Sequence, residues 1–341
     1  MDELDDLEVA RLTGMLSGAL LTQIISAAAT LGVADALTAG PETISTLSDR
    51  CGADADALRR LLRGLAAVGL LEELGTDLFD LTDMGHLLRS DHSRSLRSWA
   101  IVQGQLMAPL WTGLASAVQT GQPAAQAVFG KPFYEHLGAN PALDEHWNRA
   151  MVETAQAWWG KGQLLDALDW TDVRSVVDVG GGRGGLLAVL LERHPHMSGV
   201  VYDLPHVVAH APGYLAGRGV ADRAQAVGGN FFDAIPLGAD AYLLARVVFN
   251  WDDELALRLL NACREAMGAG ARLLVIDHVV VEDGPPHPAT VNDVSLLSMG
   301  GRARSIEEWK NLAGRAGLRL TGPPQSPSVV DAWMALVMKR C

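Results

Sequence analysis

Cysteine is scarce in this chain of 341 residues. Only Cys51, Cys263 and Cys341 occur, an odd number without the close spacing of metal ligands. We therefore expect neither a bound metal nor a disulfide framework. A reducing compartment suits these thiols, and we expect the protein in the cytoplasm.

Positive charge and long apolar runs are also in short supply. Lys and Arg number 27 against 40 Asp and Glu, which gives a net charge of −13 and argues against nucleic-acid binding. No run approaches the roughly 18 apolar residues of a membrane span, so we expect no membrane partner. The acidic start, Met1–Asp6, is unlike a signal peptide.

What the chain does have is material for a large folded core. Hydrophobic residues make up 49% and charged residues 20% of the sequence, as in globular proteins. This length accommodates two domains.

A glycine-rich turn between an apolar strand and an apolar helix is the most informative motif. Asp178–Gly185 follows the strand-like run Ser175–Val177 and precedes the helix-like run Leu186–Arg193. Glycine lets the backbone bend tightly and approach a ligand, and the helix N-terminus offers unpaired N–H groups. A second apolar strand, Gly199–Tyr202, ends in Asp203, whose carboxylate can bind both ribose hydroxyls of an adenosine.

Two cofactors compete for this turn. Gly180, Gly182 and Gly185 fit the dinucleotide pattern, which alone is a weak signal. Gly180, Gly182 and Gly184 fit a tighter turn, and Asp178 is placed to reach the ammonium of a methionine moiety. These details favour S-adenosylmethionine over a dinucleotide, and both over a structural turn without ligand.

The N-terminal region predicts helices followed by a winged helix. Residues 8–38 are apolar on nearly every helical face, so we expect them buried on several sides, against a second subunit or their own core. Residues 43–90 read as helix, helix and hairpin, with Asp54 capping the second helix. Because the chain is acidic, we interpret this module as a dimerisation domain and substrate lid rather than a DNA reader.

The rest of the chain predicts a helical connector and an α/β domain. Residues 94–168 are rich in aromatic and Met side chains, some of which we expect to line a pocket. Strands are predicted at 175–179, 199–203, 224–227, 241–248, 271–280, 318–321 and 332–339, the last two antiparallel, with helices between. We therefore predict a doubly wound sheet with its ligand at the carboxyl ends of the strands, and domains at 1–95, 96–170 and 171–341.

Six segments together carry a family resemblance. They are Phe129–Phe133, Asp178–Gly185, Asp203–Pro205, Gly228–Phe232, Asn250–Glu254 and Gly300–Arg304. With the N-terminal module, they resemble the bacterial relatives of plant caffeate and isoflavone O-methyltransferases, including those acting on anthracycline-type polyketides. The resemblance implies a Rossmann-like, seven-stranded methyltransferase sheet, a homodimer, and S-adenosyl-L-methionine as cofactor.

The resemblance also implies cofactor contacts. Gly180 and its neighbours would hold the methionine end, Asp203 the ribose, and Asn230 and Phe231 the adenine, although family members usually have Asp in place of Asn230. The full expected cofactor set is Asp178, Gly180, Gly181, Gly182, Asp203, Leu204, Asn230, Phe231 and Ala245.

The catalytic positions depart from the family pattern. Plant members have a His base where this chain has Phe249, and the two acids that orient it fall at Asp277 and Ala303. Phenylalanine cannot take a proton. Either positioning alone suffices for transfer to a hydroxyl, or another residue (Asp277, His278, His136 or His146) is the base, or the enzyme performs a different tailoring reaction.

We expect Asp277 and Asn250 to be catalytic. The expected substrate contacts are Trp111, Phe133, Met151, Trp159, Phe249, Asn250 and Arg304. The sequence thus predicts a methyltransferase acting on a hydroxyl of a small aromatic, polyketide-like molecule; the alternatives are a non-methylating enzyme that binds the same cofactor and a winged-helix regulator.

Overall fold

A computed structural model describes the backbone of residues 2–159, 163–166, 168–281, 288–325 and 333–341. Side chains are described for residues 6–155, 165–166, 168–281, 290–325 and 333–341. The chain forms two compact units, one of residues 1–109 and 140–154 and the other of residues 110–139 and 155–341. The predicted connector, 96–170, is divided between these units.

The first unit is helical apart from a three-stranded sheet. Its helices before residue 109 are α1 (Asp2–Leu16), α2 (Gly18–Leu31), α3 (Val33–Ala36), α4 (Ile44–Cys51), α5 (Ala55–Ala67) and α6 (Arg97–Val102), with a 3₁₀ turn at Gly85–Leu88 and a π-helical turn at Gln103–Met107. Its strands are β1 (Glu42–Thr43), β2 (Leu71–Gly75) and β3 (Leu78–Leu81), in the antiparallel order β1-β3-β2.

The predicted winged helix is confirmed within this unit. The side chain of Asp54 accepts a 2.9 Å hydrogen bond from the Ala57 amide and starts α5. Leu58, Leu62 and Leu65 then fall on one face of α5 and are buried. The β2–β3 hairpin closes this core where the turn sequence placed it.

The single chain does not bury the first part of the N-terminal apolar stretch in its own core, which leaves a second subunit as the alternative that we predicted for its burial. Leu12 and Leu16 of α1 are 58% and 74% exposed, and Leu20 of α2 is 62% exposed. The stretch Asp6–Leu31 is moreover long and apolar enough to cross a membrane by length and composition, contrary to our expectation that no such segment exists. One such helix near the N-terminus is weak evidence of a membrane span, because helices that pack within soluble proteins pass the same test of length and composition.

The helices that follow are shorter, except one. They are α7 (Ala108–Trp111), α8 (Leu114–Thr120), α9 (Ala124–Phe129), α10 (Phe133–Gly138), α11 (Pro141–Trp159), α12 (Gln163–Asp166), α13 (Gly185–Arg193), α14 (Pro205–Val208), α15 (Ala211–Gly217), α16 (Asp253–Ala266), α17 (Pro288–Met299) and α18 (Ile306–Arg315). The long helix α11 contributes to both units.

The second unit is built on one sheet. Its strands are β4 (Ser175–Val179), β5 (Ser198–Asp203), β6 (Ala224–Gly228), β7 (Ala241–Ala245), β8 (Arg272–Val280), β9 (Arg304–Ser305), β10 (Leu318–Leu320) and β11 (Trp333–Arg340). Seven strands run in the order β10-β11-β8-β7-β4-β5-β6, and the two-residue β9 pairs with β8. The seven-stranded, doubly wound prediction is confirmed, including the antiparallel β10–β11 pair.

The sheet order fixes where a ligand can bind. Strands β4 to β8 are parallel, and the chain order reverses on either side of β4. Such a switch point opens a crevice outside the carboxyl ends of the strands. Apolar clusters cover both faces of the sheet.

Strand β7 is shorter than predicted. It ends at Ala245, and Val248–Asn250 forms a 3₁₀ turn rather than the end of a strand. Arg246 between them has a φ of 62°, which breaks the extended conformation that its apolar neighbours favour. Phe249 is therefore carried by a turn, not by a strand.

Candidate active site

The glycine turn after β4 has the shape that a ligand-binding corner requires. Gly180 and Gly182 have φ values of 70° and 61°, a conformation that side chains other than glycine rarely adopt. A Cβ on Gly181 would lie 2.6 Å from the Asp178 carboxyl carbon, so this position has no room for a side chain. The Gly180 amide donates to the Tyr202 carbonyl oxygen at 2.8 Å and fixes the turn against β5.

Asp203, at the end of β5, closes the turn from the other side. Its Oδ2 accepts from the Gly182 amide at 2.8 Å, and its Oδ1 accepts from the Leu204 amide at 2.7 Å. Both bonds orient the carboxylate at the edge of the sheet. The structure thus brings together four of the expected cofactor residues: Gly180, Gly181, Gly182 and Asp203.

Asp178 is the unusual group at this edge. It is buried, and its Oδ2 has no hydrogen-bond partner among the described residues. Burial, and then the negative charge of Asp203, raise the pKa of Asp178 to about 7. A buried oxygen of this kind is costly without a partner, and a cationic donor beside the glycine turn would satisfy it.

An aromatic group lies beside the turn. Phe231 and Phe232 meet edge to face at 4.7 Å, and Trp251 lies 5.0 Å from Phe232. The Asn230 side chain accepts from the Phe232 amide at 3.0 Å and holds this segment. Flat apolar surfaces with polar groups at their rim suit a purine base.

These features fit S-adenosylmethionine. The orphaned Asp178 oxygen matches an amino group and Asp203 matches a ribose diol. Gly182, with no atom within 4 Å of where its Cβ would lie, leaves room for close approach of the ligand. Leu204 and Ala245 stand at the same carboxyl edge, after β5 and at the end of β7.

Asp277 lies in the middle of β8 and is fully buried. Its Oδ2 accepts from the Phe249 amide at 3.0 Å. Burial raises the pKa of Asp277 well above its usual value, against the opposing charges of Arg304 and Arg246. The carboxyl therefore anchors the Phe249 turn.

Arg304 is placed differently from our expectation. It is 1% exposed and donates to Asp253 Oδ1 at 2.9 Å, to the Trp251 carbonyl oxygen at 2.9 Å and to the Val248 carbonyl oxygen at 3.4 Å. These bonds tie the turn that carries Phe249 to α16. The geometry favours this structural role over the substrate contact that we predicted.

The other expected substrate residues differ in their burial and in the unit to which they belong. Phe133 is 1% exposed and packs in the core, whereas Trp111 is 38% exposed. Asn250 is half-buried, and its amide donates to the Arg246 carbonyl oxygen at 2.9 Å. Met151 belongs to the first unit, and the side chain of Trp159 lies outside the described residues.

The three histidines that we proposed as alternative bases lie in different parts of the structure. The His278 ring stacks on Trp333 with 3.8 Å between centroids. His136 stacks on Phe129 at 3.9 Å, and burial followed by the charge of Lys131 lowers its pKa. His146 belongs to the first unit.

Sequence reasoning missed two residues at this edge, Tyr134 and Arg246. The Tyr134 ring lies 5.4 Å from Trp251 and feels the charges of Arg246 and Asp203. Arg246 is the single charged residue in the apolar run 241–249, and this contrast is the signal that could have found it.

Comparisons with known proteins agree with this architecture. Residues 111–319 match the profile of the O-methyltransferase domain, and residues 13–91 match that of the O-methyltransferase dimerisation domain. The second match covers most of the exposed apolar stretch in α1 and α2.

Two curated relatives are similar over most of their length. A 2,7-dihydroxy-5-methyl-1-naphthoate 7-O-methyltransferase from Streptomyces carzinostaticus is 39% identical over 90% of this chain and 92% of its own. The aclacinomycin 10-hydroxylase RdmB from Streptomyces purpurascens is 40% identical over 91% of this chain and 85% of its own.

Among solved structures, that of the O-methyltransferase NcsB1 from neocarzinostatin biosynthesis matches with a TM-score of 0.77 and 35% identity, over 94% of this chain and 96% of that one. It was crystallised with S-adenosylmethionine and 2-hydroxy-5-methyl naphthoic acid. The predicted family is thereby confirmed: this chain belongs to the O-methyltransferase family.

Proposed function

We propose that this chain is an S-adenosylmethionine-dependent O-methyltransferase that methylates a hydroxyl of a small aromatic natural product and works as a cytoplasmic homodimer. The observation that carries the proposal is the buried Asp178 carboxyl beside the glycine turn, with Asp203 opposite. When bound, S-adenosylmethionine supplies an electrophilic methyl group on a sulfonium.

The chain's own residues bind and orient. Asp178 and Asp203 hold the cationic and ribose parts of the cofactor, and the Phe231–Trp251 group flanks the adenine. Relatives that act on hydroxynaphthoates support a flat, hydroxylated aromatic acceptor.

The side chain of Phe249 cannot accept a proton, because it has no basic atom. Asp277 faces the Phe249 amide rather than an open site. The acceptor hydroxyl must then lose its proton to water, and the protein contributes alignment of the reactants.

A second candidate function has specific support. The hydroxylase RdmB is as similar to this chain as the methyltransferases are, and Phe249 removes the base that O-methylation of a weakly acidic hydroxyl would use. A tailoring reaction other than methylation on the same fold is therefore the rival proposal.

One experiment separates the two. The enzyme is incubated with methyl-deuterated S-adenosylmethionine and a hydroxynaphthoic acid, and the product is weighed by mass spectrometry. A gain of one labelled methyl group supports the methyltransferase. If the Asp203→Ala variant fails to add this methyl group while the surface control Asp222→Asn still adds it, the activity depends on this site. A gain of oxygen, or loss of carbon dioxide without a methyl gain, supports the rival.

A further inference from the structure

Arg246 holds an unusual backbone position. It is the first residue after β7 and has a φ of 62°; among the described residues, the only other non-glycine with a positive φ is Asp77 in the β2–β3 turn. An L-residue adopts this conformation at a cost, which proteins tend to accept at binding sites. The Arg246 amide is held by the Ile276 carbonyl oxygen at 2.8 Å. A strained residue is thus fixed at the carboxyl edge of the sheet.

The Arg246 side chain lies against an aromatic wall. Its guanidinium carbon is 5.6 Å from the centre of the Trp333 ring, and Trp333 stacks on His278. The Phe249 ring lies 5.9 Å from Trp333 and completes this wall. Phe249 and His278 are buried, so the half-buried Arg246 and Trp333 are the members of this wall that an aromatic ligand with a negative oxygen can contact.

The charge at Arg246 is partly desolvated. Burial lowers the pKa of Arg246 to about 10, while Tyr134 and Asp277 act in the opposite direction. The guanidinium therefore stays cationic at neutral pH. Arg246 is half-buried, whereas the structural Arg304 is 1% exposed. Removal from bulk water strengthens the attraction of such a cation for an oxyanion.

We propose that Arg246 is a specificity-determining residue that recognises an oxyanion of the aromatic acceptor. This inference rests on the proposed function and names the acceptor class within it. The oxyanion is either a carboxylate next to the acceptor hydroxyl or the ionised hydroxyl itself. The guanidinium fork can donate two hydrogen bonds to the two oxygens of a carboxylate or to the single oxygen of a phenolate. If the oxyanion is the ionised hydroxyl, the acceptor needs no side-chain base, which accounts for Phe249.

Binding of matched probes tests this inference. Enzyme saturated with S-adenosylhomocysteine is titrated calorimetrically at neutral pH with 3-hydroxy-2-naphthoate, with 2-naphthol, and with a nitronaphthol of acidic hydroxyl. The wild type should bind an anionic probe roughly ten- to hundredfold more tightly than neutral 2-naphthol, the range of a charged hydrogen bond. Arg246→Gln should abolish this preference, and Arg246→Lys should retain part of it.

The probes also identify the oxyanion. Preference for the hydroxynaphthoate alone assigns the carboxylate; preference for the nitronaphthol that rises with pH through its hydroxyl pKa assigns the phenolate. Both preferences must depend on Arg246.

Controls separate failure of this inference from failure of the proposed function. Arg302→Gln removes another arginine, which is ion-paired with Asp253 and Glu308, and should leave the preference intact. Binding of S-adenosylhomocysteine by each variant reports the fold and the cofactor site, and its absence in the wild type would contradict the proposed function. The Arg246 inference is overturned if Arg246→Gln keeps the preference, or if no anionic probe binds the wild type more tightly than 2-naphthol.

Discussion

The main-chain amide of Phe249 donates a 3.0 Å hydrogen bond to the buried carboxyl of Asp277. This bond joins the 3₁₀ turn at Val248–Asn250 to the middle of β8. The other Asp277 oxygen, Oδ1, has no hydrogen-bond partner in the described ranges. Asp277 therefore positions the turn by accepting a hydrogen bond from a main-chain amide.

Two substitutions of Asp277 should separate its role as a hydrogen-bond acceptor from the effect of its ionisation. Asp277→Asn keeps an oxygen for the Phe249 amide, and below about pH 4, where the carboxyl is protonated in the folded and the unfolded protein, it should have nearly unchanged stability. Asp277→Ala leaves that buried N–H without an acceptor and should lower the free energy of unfolding by about 1–3 kcal/mol. Urea denaturation measures both, and equal losses in the two variants would contradict the assignment.

The raised pKa of Asp277 gives this stability a pH dependence. Above the unfolded-state pKa of about 3.9, the folded protein keeps a proton that the unfolded chain releases. Stability should then fall as pH rises from that value toward the raised pKa. Asp277→Asn should lack this contribution, so the difference in unfolding free energy between the two proteins should change across that window.

Cofactor affinity should depend on the ionisation of Asp178. Because its pKa is raised to about 7, the carboxyl is protonated below that pH and cannot pair with an amino group. Affinity for S-adenosylhomocysteine should increase by up to about tenfold per unit from pH 5 to 7. Calorimetry on Asp178→Asn should show weak binding of S-adenosylhomocysteine that does not change with pH. The surface control Asp222→Asn should show the same pH dependence as the wild type. A wild-type affinity that is constant from pH 5 to 7 would contradict the role of Asp178.

The exposed apolar side chains of α1 and α2 should be covered in a dimer. Sedimentation should give twice the chain mass of 36.3 kDa. Glutamate at Leu12 and Leu16, which are 58% and 74% exposed, should produce monomers, whereas glutamate at Leu237, 79% exposed in the second unit, should not. A monomeric wild type, or dimers that survive both changes, would remove these helices from the interface.

Arg304 should matter for stability rather than for acceptor choice. Lysine cannot reproduce its bonds to Asp253 and to the carbonyl oxygens of Trp251 and Val248. Arg304→Lys should lower the unfolding free energy by about 1–3 kcal/mol and keep the preference for anionic probes. Loss of that preference at unchanged stability would restore Arg304 as a substrate contact.

The sequence predicted local features of the site better than long-range ones. The glycine turn and Asp203 belong to two consecutive strand ends, with Gly182 and Asp203 lying 21 positions apart in the chain, so motif and spacing identified them. The end of β7 depends on the left-handed Arg246, which the apolar run around it gave no reason to expect. The role of Arg304 depends on carbonyl groups more than fifty residues away, and no local pattern records such partners.

Methyl transfer without a side-chain base is tested most directly by the pH dependence of kcat, measured with two phenolic acceptors whose hydroxyl pKa values differ. We expect the acidic limb of the profile to move with the acceptor's own pKa and to persist in His278→Ala and Asp277→Asn. A general base typically contributes about a hundred- to ten-thousandfold, so its loss is measurable. A limb that stays fixed when the acceptor is changed, and disappears on replacing one of Asp277, His278, His136 or His146, would identify that residue as the base and contradict transfer by positioning.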